Sequence, residues 1–443
     1  MDIPSEYKAR IGGDPMRIAF DKPALGGAMQ DRQMGAKKYE GPVPTFADLW
    51  KGAKAPLSCY INIPFCASFC PYCGFFKLKH TPQLEASYLE GLLSEIKIEA
   101  LEAKKKGLKF QAVFVGGGTP TSFSANSLEK ILGAIGELPL EDDAEITLEG
   151  RISLLSEEKI RRIWEGGVTR FSLGIQSFDE KTRQRAGRFD KPEKLKEILE
   201  ALIETAPGIV TIDLIYGLPE QTLSVFEKDL ATATELKVHG ISLYLLKQMP
   251  TSPLFENKAT GKRERPLTAA ELSDYYRLSL NFLPQKGYRQ LSVSHWSRDK
   301  RDRNLYNTFT MGRRDLVGVG AGAGGSINGA SYLNFPSLEK YLLALSQKIK
   351  PILNYYPPSP LTPFLNSVSR QLLEGRVSLK TLDEAGALKD PLVLALLRQW
   401  EEASLLQENP DGFSLTQAGV FWRANMEFIL RSLLTAALQE NSL

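Results

Sequence analysis

The chain has 443 residues, 43% of them hydrophobic, with a formal net charge of +3. That is enough for a large core or two to three domains, and there is no basic block of the kind that marks nucleic-acid binding. No apolar run approaches membrane-spanning length and the first residues lack a signal-peptide core, so a cytoplasmic protein with neither membrane span nor nucleic-acid partner is expected.

Residues 1–56 are rich in Gly and Pro and show little periodicity. They read as an N-terminal extension that wraps the domain or covers a site, with a partly disordered tail as the alternative. From Leu57 onward, apolar runs alternate with amphipathic ones. The runs Ser58–Ile63, Ala112–Val115, Ala144–Leu148, Thr169–Gly174, Val210–Tyr216 and Ile241–Leu246 predict strands. Glu85–Lys106, Ser124–Ile135, Ser156–Trp164, Pro192–Thr205 and Thr222–Leu236 predict helices. Near-continuous apolar strands alternating with helices mean a parallel sheet covered by helices. Six such units give an open sheet or a partial barrel, with functional groups at the C-terminal ends of the strands.

The candidate motifs obey that rule. Pro64-Phe-Cys-Ala-Ser-Phe-Cys-Pro-Tyr-Cys73 follows the first strand and Gly116-Gly-Gly-Thr-Pro120 the second. Glu149 ends the third, Gln176 follows the fourth and Gly217-Leu-Pro219 the fifth. Residues 57–250 therefore read as the core barrel and 251–350 as a substrate-facing extension. Residues 351–443 read as a helical domain. There, a helix over Leu394–Leu406 and a short hairpin near Gly412–Gly419 suggest a winged-helix-like module without a basic recognition face.

Cys66, Cys70 and Cys73 use three of the four cysteines present. Three thiolates leave one iron of a cubane cluster open to a substrate or cofactor. The alternative is a zinc site completed by His80. Cys59, inside the first strand, reads as a small buried apolar residue. The glycines at 116–118 let backbone approach a ligand, and exposed amides there can bind it. Asp213 suits ribose hydroxyls and Arg188 the carboxylate of a methionine moiety, with rim salt bridges as the alternative for each. His239 reads as structural and His80 as exposed. His295 can contact an iron porphyrin or be an ordinary hydrogen-bonded histidine. Trp296, Arg298, Arg303 and Tyr306 are candidates to face a haem.

Together, Tyr60-Ile-Asn-Ile-Pro-Phe-Cys66 with its cysteine loop, Gly116–Pro120, Ser172-Leu-Gly-Ile-Gln-Ser-Phe178 and Asp213-Leu-Ile-Tyr-Gly-Leu-Pro219 resemble the oxygen-independent coproporphyrinogen oxidase-like branch of the radical S-adenosylmethionine (radical-SAM) superfamily. The resemblance runs from about residue 57 to 250, and the C-terminal module is similar too. It implies an α/β fold: a partial (βα)6 TIM-like barrel with a mostly helical, winged-helix-like C-terminal domain. It implies a [4Fe-4S] cluster on Cys66, Cys70 and Cys73. It implies S-adenosylmethionine contacts by Tyr60, Gly74, Gly117, Gly118, Thr119, Glu149, Gln176, Arg188 and Asp213. Of the branch's functions, the chain looks most like the anaerobic haem-degrading methyltransferases, the anaerobilin synthases. Asn62 stands where the coproporphyrinogen dehydrogenases and haem chaperones commonly carry His. Residues His295–Asn307 and Gly318–Gly325 resemble the haem-degrading group. That likeness implies haem as substrate, His295 as a catalytic candidate and two molecules of S-adenosylmethionine. It also implies a reduced flavodoxin-like or flavin electron donor. Coproporphyrinogen III dehydrogenation and non-catalytic haem chaperoning are the alternatives.

Overall fold

The computed structural model describes residues 2–24, 39–247, 253–256 and 264–440. The six apolar runs become strands β1 (Leu57–Ile63), β2 (Phe110–Gly117), β3 (Leu140–Gly150), β4 (Arg170–Gln176), β5 (Ile209–Tyr216) and β6 (Gly240–Leu245). They pair in parallel, in chain order. Successive side chains of a strand point to opposite faces. One set (Ile61, Ile63, Val113, Val115, Leu148, Phe171, Leu173, Ile212, Leu214, Ile241, Leu243) is buried under the helices. The other set is polar or aromatic: Tyr60 and Asn62, Phe114 and Gly116, Thr147 and Glu149, Ser172 and Gly174, Asp213, Ser242. The chemistry lies on that second, inner face.

Helices α1 (Pro82–Lys106), α2 (Ala125–Gly136), α3 (Glu157–Glu165), α4 (Pro192–Thr205) and α5 (Leu223–Glu235) are the crossovers. Four of them start at a hydroxyl cap. Thr81, Ser124, Ser156 and Thr222 accept hydrogen bonds from the backbone N–H of Leu84, Ser127, Lys159 and Val225, which satisfies donors the helix itself leaves unpaired. Thr81 and Pro82 start α1 earlier than its apolar periodicity indicates, and Gly107 in the left-handed region stops it.

The sheet does not end with these six strands. Beyond β6 lie the antiparallel β7 (Arg289–Ser292) and β8 (His295–Ser297). Against the free edge of β1 lies β9 (Asp315–Val319), a seventh parallel strand. It is followed by the antiparallel β10 (Gly324–Ile327), β11 (Ala330–Asn334) and β12 (Ile352–Tyr356). The order is β12-β11-β10-β9-β1-β2-β3-β4-β5-β6-β8-β7, an open, partial barrel. Five strands of region 251–350 thus join the same sheet as the core, and β12, in that sheet too, lies beyond the expected boundary at residue 351.

The glycine run Gly318–Gly325 is the end of β9 and its turn. A Cβ on Gly318 would lie 2.3 Å from the Gly324 carbonyl, and Gly320 has φ +103. The turn is pinned from below by a dry ionic knot. Lys350 Nζ sits 2.8 Å from Glu95 Oε1, 2.5 Å from Glu99 Oε1 and 3.0 Å from the Gly318 carbonyl. Glu95 Oε2 accepts from Gly320 N–H at 2.8 Å and from the Tyr341 hydroxyl at 2.6 Å. Above the knot, Asn62 Nδ2 donates to the Ala321 carbonyl at 2.6 Å, so β9 ends at the rim where β1 ends.

The C-terminal unit is winged-helix-like. Helix Thr362–Leu373 leads to strand Arg376–Ser378, which pairs with the hairpin Leu406–Asn409/Gly412–Leu415. Helices Pro391–Glu402 and Arg423–Glu440 complete it. The described N-terminal residues pack on both bodies. The Ala9 N–H donates to Gln399 Oε1 and its carbonyl accepts from Gln399 Nε2, and Trp422 Nε1 donates to the Pro15 carbonyl. Phe46, Leu49 and Trp50 join the barrel core.

Candidate active site

Past Ile63, residues Phe65–Cys66 pair with Leu78–Lys79, so the chain leaves the rim and returns to it, closing a loop that carries all three motif cysteines. Cys66 is buried at the loop's root, while Cys70 and Cys73 are half-buried. Burial pushes the Cys66 thiol pKa up, and the Cys73 and Cys70 thiols close by push it further. Thr119 Oγ1 stands 3.6 Å from Cys66 Sγ. His80 is not available to complete a zinc quartet. It is half-buried rather than exposed, and its Nε2 lies 2.6 Å from Glu85 Oε2. Among the described residues, no three His, Cys, Asp or Glu side chains converge to hold a single ion. Three thiols on one loop suit a multi-iron cluster, one thiol to an iron.

The Gly116–Pro120 run differs from expectation in one respect. Its amides are spent within the protein: Gly117 N–H on Glu149 Oε2 (3.2 Å), Gly118 N–H on the Ile63 carbonyl (2.9 Å) and Thr119 N–H on the Phe65 carbonyl (2.8 Å). The run docks the root of the cysteine loop instead of offering free donors. Its lack of side chains is required by that packing, since a Cβ on Gly118 would sit 2.6 Å from the Phe65 carbonyl. Gly116 and Gly174 make room for functional groups. A Cβ on Gly116 would meet Glu149 Oε2 at 2.7 Å, and one on Gly174 would meet Gln176 Nε2 at 2.7 Å with Arg188 just beyond. Gly74 is exposed on the loop with open space around it.

Glu149, Gln176, Arg188 and Asp213 are brought to one place. Burial, aided by the Asp213 charge, raises the Glu149 carboxyl pKa to about 7. Burial also raises that of Asp213, against the pull of Arg170. Ser172 Oγ donates to both Asp213 oxygens, at 3.2 and 3.3 Å. Arg188 Nη2 donates to the Tyr72 hydroxyl at 3.2 Å, which ties the fourth strand's loop to the cysteine loop. Burial opposes the Arg188 charge, but Tyr72 and Cys70 outweigh it and hold its pKa above the usual value. Arg188 Nε is buried without a hydrogen-bond partner. Gln176 is buried at φ +74, a conformation that costs a non-glycine residue on the order of 1–3 kcal/mol and that clusters at functional sites. Tyr60 lies deeper, its ring alongside the stacked pair Phe114–Tyr306 and its hydroxyl 3.0 Å from Asn62 Oδ1. Tyr72, Ser172, Gly116 and Gly174 belong to this site as well. All four lie inside the sequence motifs, but their partners are distant in the chain.

Residues 295–307 are not at this rim. His295 is 1% exposed, with Nε2 2.7 Å from Asp302 Oδ2 and Nδ1 3.0 Å from Ser242 Oγ. Both ring nitrogens are thus engaged within the protein. Trp296 is buried beside it. Arg298 N–H bonds the His239 carbonyl before β6, and Arg303 pairs with Asp143 near the start of β3. Both positions are at the strand-start end, opposite the cysteines. Tyr306 stacks on Phe114 inside the barrel at 4.5 Å. The segment is a plug, polar because it is salt-bridged from within. His239 is structural, its Nδ1 accepting from Val210 N–H at 2.9 Å.

The Radical SAM superfamily model matches residues 60–233, the stretch that carries the cysteine loop, Glu149, Gln176, Arg188 and Asp213. The chain is 34% identical over 377 residues to anaerobilin synthase of Escherichia coli O157:H7, covering 84% of this chain and 83% of that one. The chain belongs to the radical-SAM superfamily. Its Lactococcus lactis relative, Heme chaperone HemW, is 32% identical over 290 residues, covering 65% of this chain and 74% of that one. The solved coproporphyrinogen III oxidase HemN from Escherichia coli shares the fold, with a TM-score of 0.72 at 21% identity over 94% of this chain and 99% of that one. Membership implies a [4Fe-4S] cluster and S-adenosylmethionine. The residues fit both. Three neighbouring thiols stand on one loop. Beside them are two half-buried carboxylates and a guanidinium with an orphaned Nε.

Proposed function

We propose that the protein is a radical-SAM methyltransferase that opens the haem ring without oxygen. It adds a methyl-derived carbon and releases iron and a linear tetrapyrrole of the anaerobilin type. The observation that carries this reading is the extent of the likeness to anaerobilin synthase. It spans more than four-fifths of both chains, including regions outside the barrel, whereas the match to the chaperone stops at 65% of this one.

In this reading Cys66, Cys70 and Cys73 hold the cluster. With S-adenosylmethionine bound, the pair supplies one-electron cleavage of a carbon–sulfur bond. Arg188 pairs with the methionine carboxylate, Asp213 accepts from ribose hydroxyls and Glu149 accepts a further donor beside Gly117. Cys73 is the last cysteine of the chain, so a methylated cysteine further along is not the carbon source. A second S-adenosylmethionine takes that place. The cysteine loop turns Phe69 and Phe75 to solvent, 51% and 70% exposed, beside Lys77 and Lys247. Such a face suits an acidic electron carrier of the flavodoxin kind. Haem enters at the rim, because the strand-start end is closed by the plug.

The test is anaerobic turnover of reconstituted protein with reductant, following haem absorbance together with S-adenosylmethionine cleavage. In this reading haem absorbance falls as S-adenosylmethionine is cleaved. Cleavage without haem loss contradicts it. Stoichiometric haem binding with an unchanged porphyrin spectrum, and no cleavage, assigns the chain to the chaperones instead.

A further inference from the structure

Asp213 is tied to a file of buried side chains that runs from the site down to the strand-start end. Ser242 is its neighbour in register on β6, on the same face of the sheet, and helps to hold the Asp213 carboxylate in its charged form. Ser242 Oγ lies 3.0 Å from His295 Nδ1, and His295 Nε2 lies 2.7 Å from Asp302 Oδ2. Asp302 Oδ1 accepts from Arg170 Nε at 3.1 Å. Ser242, His295, Asp302 and Arg170 are each at most 2% exposed.

A count of hydrogens shows what this file does. An ionised carboxylate only accepts. Asp302, salt-bridged to Arg170, therefore takes a hydrogen from His295 Nε2, which fixes the ring with Nδ1 toward Ser242. The Ser242 hydroxyl has one hydrogen and three neighbours, His295 Nδ1, Asp213 and the Tyr244 hydroxyl, and Nδ1, an acceptor in that tautomer, competes with Asp213 for it. The ring thus decides how Ser242 is held against Asp213. Ser172, on the other side, holds both carboxylate oxygens. We infer that His295 is a positioning residue. Through Ser242, the chain Arg170–Asp302–His295 sets the orientation in which the Asp213 carboxylate meets S-adenosylmethionine. The inference rests on the reading of Asp213 as a contact to that molecule.

The experiment is equilibrium binding of radiolabelled S-adenosylmethionine to the full-length, cluster-loaded protein under anaerobic conditions. Melting temperature and cluster absorbance are recorded alongside. Ser242→Ala and His295→Leu should each weaken binding about ten-fold, equivalent to about 1.4 kcal/mol, with cluster absorbance retained. The double variant should be no weaker than either single one, because the two act through one contact. His295→Gln, whose amide can still reach Asp302 and Ser242, should stay within about three-fold of the parent protein. If Ser242→Ala and His295→Leu bind like the parent while Asp213→Asn loses binding, the positioning role is overturned and the reading of Asp213 stands. If Asp213→Asn itself binds like the parent, that reading fails and takes the positioning role with it. Should His295→Leu not fold, Ser242→Ala, which removes a single oxygen, decides alone.

Discussion

Replacing Lys350 by methionine tests how the seventh parallel strand is held at the rim. Lys350 is fully buried, and both its carboxylate partners, Glu95 and Glu99, lie on α1 at no more than 2% exposure. Breaking a buried ion pair from one side costs about 3–5 kcal/mol, because the remaining charge is left uncompensated. At a slope of about 3 kcal/mol per molar urea, the unfolding midpoint should fall by about 1–1.7 M. Trp50 is a built-in probe, since its Nε1 donates to Glu99 Oε2 at 2.7 Å and its fluorescence reports on this knot. The loss should depend on pH. Burial already raises the Glu99 pKa above its unfolded value, and without the lysine it rises further. The folded variant then binds more protons than the unfolded chain. Its deficit should be largest at pH 8 and should shrink as pH falls toward 5. Adding Glu95→Gln and Glu99→Gln to Lys350→Met should restore most of the loss at pH 8. A loss below about 1 kcal/mol, or one that does not change with pH, would refute the picture of a charged, dry knot.

Three further outcomes are expected. Alanine at Cys66, Cys70 or Cys73 should abolish the cluster's visible absorbance and bound iron after anaerobic reconstitution, whereas Cys59→Ala, on the outer face of β1, should keep both. Glu149 titrates at about 7, and its ionised form accepts hydrogen bonds. Binding of S-adenosylmethionine should therefore tighten as pH rises through 7, and Glu149→Gln should flatten that profile in a binding titration. Gly174→Ala places a methyl 2.7 Å from Gln176 Nε2. Nε2 is the free end of the Gln176 side chain, which must swing aside, and this should appear as roughly ten-fold weakening of S-adenosylmethionine binding with little loss of stability.

The six inner strands were legible because each carries apolar residues on the face under the helices, which makes near-continuous apolar runs. The cysteine loop was legible because its spacing is local. The seventh parallel strand was not. Asp315–Val319 ends in glycines that carry no periodicity, and its position depends on Asn62, Glu95 and Lys350, far away in sequence. The polar stretch from His295 to Asn307 reads as a binding segment for a related reason. A sequence shows charged and aromatic residues but not their partners. Asp302 finds Arg170, and Leu305 N–H finds Glu145, across the barrel interior. The amides of Gly117–Thr119 were likewise expected to face a ligand, and only the packed loop shows that they are already used.

In the proposed function, haem is consumed at the rim where Cys66, Cys70, Cys73 and Asp213 meet. The most direct measurement is anaerobic incubation of the reconstituted protein with haem, S-adenosylmethionine and a reductant, followed by mass analysis of the tetrapyrrole. A linear tetrapyrrole that has lost iron and gained a carbon labelled from the S-adenosylmethionine methyl group is the predicted result. Recovery of intact haem, or conversion only of coproporphyrinogen III with release of carbon dioxide, would contradict it.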